Sequence, residues 1–168
     1  SEMLRELSAA AKPGVTTSEL ETLARELIKR ANVEPSFLEY NGYPAVLCAS
    51  VNEEAVHGVP SGRKLKEGDL LTLDFGIVHK SLHTDSAVSL VVSEDPAKKE
   101  YAEKRKLMRV TREALYAGIA AARVGNTLGD VGAAIEKVVE QDNDLTVVRE
   151  LGAINNAVIG GSTAVAPK

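Results

Sequence analysis

Residues 70–92 read LLTLDFGIVHKSLHTDSAVSLVV, and the side chains in this stretch best suited to chemistry are Asp74 and Asp85. Leu71, Leu73, Phe75 and Ile77 alternate along one face of an expected strand, which leaves Asp74 on the other face with Thr72 and Gly76. Val88, Leu90 and Val92 share one parity in the second half, so Asp85 falls with Ala87 and Ser89. A chain reversal around His79 and Lys80 pairs residues whose numbers sum to 159, and this register sets Asp74 directly opposite Asp85. Opposed Cβ atoms lie roughly 5 Å apart, where two carboxylates repel by about 3 kcal/mol at an effective dielectric near 20. Two readings are open at this point. Either the register is shifted and the carboxylates splay into water, or a divalent cation sits between two hard oxygen ligands. Two carboxylates alone are too few for a tight site.

The elements that must position the pair follow from the patterning. Leu4, Leu7 and Ala11 recur at helical spacing, KPGVTTSEL breaks and restarts the helix, and Thr16 with Glu19 makes a capping box. Leu20, Leu23, Ala24, Leu27 and Ile28 form the apolar stripe of the second helix. AVLCASV, LLTLDFGIV and SAVSLVV read as strands, with HGVPSG and KEGD as turns. A third helix runs to about residue 122 with Leu107, Val110, Ala114, Leu115, Ile119 and Ala122 on one face, and a fourth continues to about residue 140. Helices followed by antiparallel strands place the chain in the α+β class.

Displacing the chain by 111 positions carries Gly14, Thr16 and Glu19 onto Gly125, Thr127 and Asp130. The shared glycine and threonine cap point to a duplicated helix–helix–sheet unit, against an alanine-rich coincidence. The counterparts of Asp74 and Asp85 would fall near 185 and 196, past Lys168.

Composition bounds the function. At 168 residues, 44% hydrophobic and 26% charged, the chain suits one globular domain. A net charge of −4 with scattered Lys and Arg argues against nucleic-acid and anionic-membrane partners. No stretch approaches the roughly 20 apolar residues of a membrane span, and no basic-then-apolar leader opens the chain, so a cytoplasmic location is expected. The single cysteine, Cys48, excludes an intrachain disulfide and a cysteine-based zinc cluster, leaving Asp, Glu and His to hold any metal.

KPGVTTSEL, YNGYPAVLCASVNEEAVHGVPSG, LKEGDLLTLDFGI, HTDSA and VVREL, in this order from about Leu4 to Leu151, resemble the successive signatures of type I methionine aminopeptidases. The resemblance implies a pita-bread (creatinase/aminopeptidase-like) fold whose N-terminal half is complete and whose C-terminal half is incomplete. The expected division is a first helix–helix–sheet unit at 1–95, a second helix pair at 96–151, and a flexible non-family tail at 152–168. By motif, Asp74 and Asp85 match metal ligands, His57 the catalytic histidine that contacts substrate, and Tyr40, Tyr43 and Cys48 the pocket for the N-terminal methionine. Phe37 and Asn41 fill positions that often differ in the family.

The implied reaction is removal of N-terminal methionine from methionyl peptides or nascent proteins, with Co, Mn, Fe or Zn as the divalent cofactor. Beyond Glu150 the chain reads LGAINNAVIGGSTAVAPK, with no histidine and no acidic residue, so three of the five implied ligands are missing. His79 and His83, in the hairpin, do not replace them. The expectation is a truncated chain of impaired or absent activity that binds metal weakly; a non-catalytic peptide-binding relic is the alternative. Apolar helix faces with no second sheet to cover them lead to an expected homodimer.

Overall fold

A computed structural model of the chain describes residues 2–141, 143, 145–147 and 165–167. It has two compact units, at 1–101 and 102–168.

The first unit begins with α1 (Glu2–Ala10) and α2 (Thr17–Ala31). Thr16 caps α2 as its spacing predicts: its side chain accepts from Glu19 N, and the Glu19 carboxylate accepts from Thr16 N at 2.7 Å. Asn32, left-handed at φ 52°, ends the helix. A four-stranded antiparallel sheet follows, built on β3 (Leu70–His79), which pairs with β4 (Leu82–Val91) along its whole length. On its other edge β3 pairs with β2 (Leu47–Val51) and with the two residues of β1 (Glu34–Pro35).

Alternation sorts the sheet into two faces. Leu47, Val51, Leu71, Leu73 and Phe75 bury themselves with Leu4, Leu7, Leu20, Ala24 and Leu27 of the two helices. Each fully buried leucine contributes about 2 kcal/mol of apolar transfer. Cys48, Ser50, Thr72, Asp74, Asp85 and Ser89 take the opposite parity. The unit extends to Tyr101, past the expected boundary at residue 95, because Glu67 Oε1 accepts from Ser93 Oγ (2.6 Å), Lys98 Nζ (3.0 Å) and Tyr101 Oη (3.0 Å).

The hairpin register differs from the expected one. Lys80 and Ser81, at φ 48° and 66°, form a two-residue turn, so His79 faces Leu82 and each pairing moves by two residues. Asp74 lies opposite Ala87 and Asp85 opposite Gly76. The left-handed conformation of both turn residues matches the twist of the strands, and that decides the register. The two aspartates are thus diagonal neighbours on one face.

The second unit contains α3 (Ala102–Ala121), α4 (Leu128–Glu136) running into a π-helical turn (Lys137–Gln141), and β5 (Leu145–Val147) paired with β6 (Val165–Pro167). The expected tail from residue 152 lies outside the described residues except for β6. Val110, Ala114, Val131, Ile135 and Val139 form its core with Leu145 and Val147. Two readings of α3 change. Its stripe runs through Leu107, Val110, Ala114 and Gly118, while Ile119 is 56% exposed. The faces expected to lie open pack against α4 and β5.

Candidate metal and peptide site

Three strands bring the chemistry together on the polar face. Cys48 of β2 is the register partner of Asp74 on β3. Asp85 of β4 stands diagonally across, opposite Gly76, at a spacing of roughly 7 Å between Cβ atoms. Burial first, and the Asp85 charge second, hold the Asp74 carboxyl well above the usual carboxylate range. Asp74 Oδ1 is buried with no hydrogen-bond partner. A carboxylate oxygen in that condition costs on the order of 1–3 kcal/mol unless a proton or a cation serves it.

Tyr43 closes one side of the cluster. Its hydroxyl shares its one proton between Leu47 O (3.0 Å) and Gly58 O (3.1 Å). Burial, then the neighbouring Cys48, pushes its pKa far above the ordinary phenol value. The Cys48 thiol is pushed up to about 11, by burial foremost and also by Asp74, Asp85 and Glu21, with the Tyr43 hydrogen bond opposing. Cys48 therefore stays a neutral thiol near pH 7.

His57 is exposed, in a left-handed backbone conformation at φ 57°. Its neighbour Gly58 fastens the loop: Gly58 N donates to Ser50 Oγ (3.0 Å) and Gly58 O accepts from Ala49 N (2.8 Å). A Cβ at Gly58 would stand 2.6 Å from Ala49 O, so this approach to β2 requires glycine. Tyr40, 71% exposed on a 3₁₀ turn (Tyr40–Gly42), is not part of the hydrogen-bonded cluster. His83 Nδ1 pairs with Ser36 Oγ at 3.3 Å.

The placing of Phe37 and the role of Glu21 escaped the sequence reading. Phe37 lies over Gly76, the residue opposite Asp85, where a Cβ would come within 2.8 Å of the ring. A glycine inside a strand between two carboxylates is the signal that could have found it. Glu21 of α2 accepts from Val46 N (2.9 Å) and Leu47 N (3.0 Å) while paired with Arg25 at 2.7 Å, and so holds the start of β2. No local pattern marks that role.

Asp74 and Asp85 fit a divalent cation through the orphaned Oδ1 and the shared face. Among the described residues no group of three His, Cys, Asp or Glu side chains is placed to hold one. No helix among them is long and apolar enough to cross a membrane.

The fold, two helices over an antiparallel sheet with paired aspartates on its far face, is the class of the pita-bread metallohydrolases. The model of Metallopeptidase family M24 matches residues 1–158, and the chain belongs to that family. It is 41% identical over 140 residues to the methionine aminopeptidase of Clostridium acetobutylicum, covering 83% of this chain and 54% of that protein. Methionine aminopeptidase 1 of Bacillus subtilis is 40% identical over 148 residues, covering 86% and 56%. The crystal structure of the Thermotoga maritima methionine aminopeptidase superposes with a TM-score of 0.78 at 39% identity, over 87% of this chain and 57% of that one. The chain thus spans a little over half the length of these relatives.

Proposed function

We propose that Asp74 and Asp85 hold a divalent metal ion beside a pocket walled by Tyr43 and Cys48 that takes an N-terminal methionyl residue, so that the chain supplies half of a metallo-aminopeptidase site. The observation that carries this reading is the buried, unpartnered Asp74 Oδ1 next to Asp85. A divalent ion bound there supplies Lewis acidity for a peptide carbonyl and an ionised water near neutral pH. Asp74 and Asp85 contribute negative charge and hard oxygens. His57, on an exposed loop, is the group available to hydrogen-bond a peptide nitrogen or a developing oxyanion. Tyr43 fixes the loop that presents His57, and Tyr40 adds an outer, solvent-facing wall.

Two carboxylates supply only part of an oxygen shell, so binding is weak and turnover by this chain is small. Calorimetric titration with Mn²⁺ should give a heat that disappears in Asp74→Asn; tight binding unchanged by that substitution sinks the assignment. Hydrolysis of a methionyl dipeptide separates the readings, since metal-dependent turnover lost in His57→Ala establishes an enzyme. The absence of any three-residue ligand cluster among the described residues favours the second reading, a non-catalytic module that binds peptide N-termini. A cytoplasmic site of action suits a reduced, buried Cys48. The expected homodimer rests on Tyr116 and Ile119 of α3, which remain 60% and 56% exposed, and light scattering with and without Mn²⁺ checks it.

A further inference from the structure

His57 makes no hydrogen bond of its own among the described residues, so its place is set by what holds the chain on either side of it. Upstream, Asn52 turns the backbone just past β2 with a left-handed φ of 56°. Its side chain brackets the start of β3: Nδ2 donates to Asp69 Oδ1 (2.8 Å) and Oδ1 accepts from Leu70 N (2.9 Å). Asn52 N closes the bracket by donating to Leu70 O at 2.8 Å. Asp69 is 8% exposed, and its second oxygen accepts from Lys66 N at 2.8 Å. Glu54 then ties back to Val51, its N donating to Val51 O (3.2 Å) and its Oε2 accepting from Val51 N (2.8 Å). Downstream, Gly58 is bonded to Ala49 and Ser50. Beyond it residues 61–65 lie as a strap on the α1–α2 turn, where Ser61 N donates to Thr17 Oγ1 (2.9 Å) and Leu65 N to Val15 O (2.8 Å). Residues 55–57 alone span the interval between the anchors.

The bracket joins this loop to the strand that bears Asp74. Leu70 opens β3 four residues before Asp74, and the partners of Gly58, Ala49 and Ser50, pair with Leu73 and Thr72. Asp74 and Asp85 are held independently, by the pairing of β3 with β4. A change at Asn52 therefore moves His57 relative to the two aspartates without moving the aspartates. Asparagine and aspartate are the side chains that tolerate a left-handed φ best after glycine. The Asn52 amide also offers the donor that the Asp69 carboxylate takes and the acceptor that Leu70 N needs.

We infer that Asn52 and Asp69 are positioning residues of the candidate site, their mutual bond setting His57 against the Asp74 and Asp85 pair. The role of His57 rests on the metallo-aminopeptidase reading proposed above; the way it is held rests on the hydrogen bonds. The bond has a polarity that can be reversed. Asn52→Asp sets two carboxylates against each other where the 2.8 Å bond was. Adding Asp69→Asn restores the bond with the donor on the other side, and each residue keeps an oxygen for Leu70 N or Lys66 N.

The test is NMR of the 168-residue chain with and without Mn²⁺, in the wild type, in Asn52→Asp and in Asn52→Asp/Asp69→Asn. His83 shares a face of β4 with Asp85, two residues away, so broadening of its ring signals reports that the ion is bound and should be alike in all three. The His57 ring signals should broaden in the wild type, stay sharp in Asn52→Asp and broaden again in the double variant. Amide exchange at Asn52 and Gly58 should quicken about tenfold in the single variant and recover in the double one. Release of His83 together with His57 would mean a general loosening and would overturn the positioning role. So would a wild-type His57 left sharp while His83 broadens, an unchanged His57 in Asn52→Asp, or no recovery in the double variant. If neither histidine responds to Mn²⁺ in the wild type, the metal reading fails by itself. The amide exchange and the His57 shifts without metal then decide, and the positioning role falls unless both change in the single variant and recover in the double. Should Asn52→Asp not fold, Asn52→Gly replaces it, since it keeps the left-handed turn and removes only the side chain.

Discussion

The α1–α2 pair and the α3–α4 pair begin from one local plan and end in different surroundings. Both caps have the same form: Thr16 N reaches Glu19 Oε2 and Thr127 N reaches Asp130 Oδ2, each at 2.7 Å, with return bonds of 3.2 Å. Gly14 and Gly125 take the same left-handed turn, at φ 91° and 97°. Helix packing has exchanged large for small, since Leu7 and Ala24 of the first core correspond to Gly118 and Ile135 of the second, where Gly118 lets Ile135 approach. The contacts to the sheet are what differ. Glu21 clamps β2, and its counterpart is Gly132. A local turn is therefore portable, whereas the Glu21 clamp and the backbone bonds from residues 61–65 to the α1–α2 turn belong, among the described residues, to the first unit.

The strongest way to break the comparison is to remove what the first unit alone possesses. Gly58→Ala drives a Cβ to 2.6 Å from Ala49 O and 2.7 Å from Ser50 Cα, both backbone atoms with little room to move. Denaturant unfolding should show a loss of about 3 kcal/mol; a loss within error would mean that the loop is not pinned to β2. Glu21→Ala strips the partners from Val46 N and Leu47 N and should cost about 2 kcal/mol, with slower-exchanging amides at both positions becoming fast.

The carboxylate pair sharpens the contrast through pH. Asp74 titrates above its unfolded value near 4, because burial and Asp85 disfavour its charge. In chelator, the stability associated with its protonated form is complete below that unfolded value and is lost as pH rises through the raised folded one. Unfolding measured across this window should fall by on the order of 1–2 kcal/mol, and Asp74→Asn should flatten the profile. A profile rising over the same range would refute the assigned shift.

The smallest effects test sameness rather than difference. Thr16→Ala and Thr127→Ala should each cost about 1 kcal/mol and agree closely, because the two caps have matching geometry. If Thr16→Ala proves several-fold costlier, the strap at residues 61–65 depends on the cap as well.

Local chemistry wrote much of this molecule into its sequence. The capping boxes, the α2 stripe, the faces of β3 and β4 and the placing of Asp74 and Asp85 on the polar side follow from spacing alone, because a cap reaches three residues and a strand alternates every two. The resemblance to methionine aminopeptidases was likewise legible from ordered motifs. The expected 159 register was not secured, since shifting it by two residues leaves every side chain on its face and only the Lys80–Ser81 turn conformation chooses between the two. Nor could spacing show that Ile119 turns outward, that Phe37 covers Gly76, or that Glu21 reaches β2 from 25 residues away. Those are contacts between segments distant in the chain, and tertiary packing decides them by choosing which surfaces meet. The burial that leaves Asp74 Oδ1 without a partner, and with it the case for a cation, arises only once three strands and the loop to β2 have closed around it.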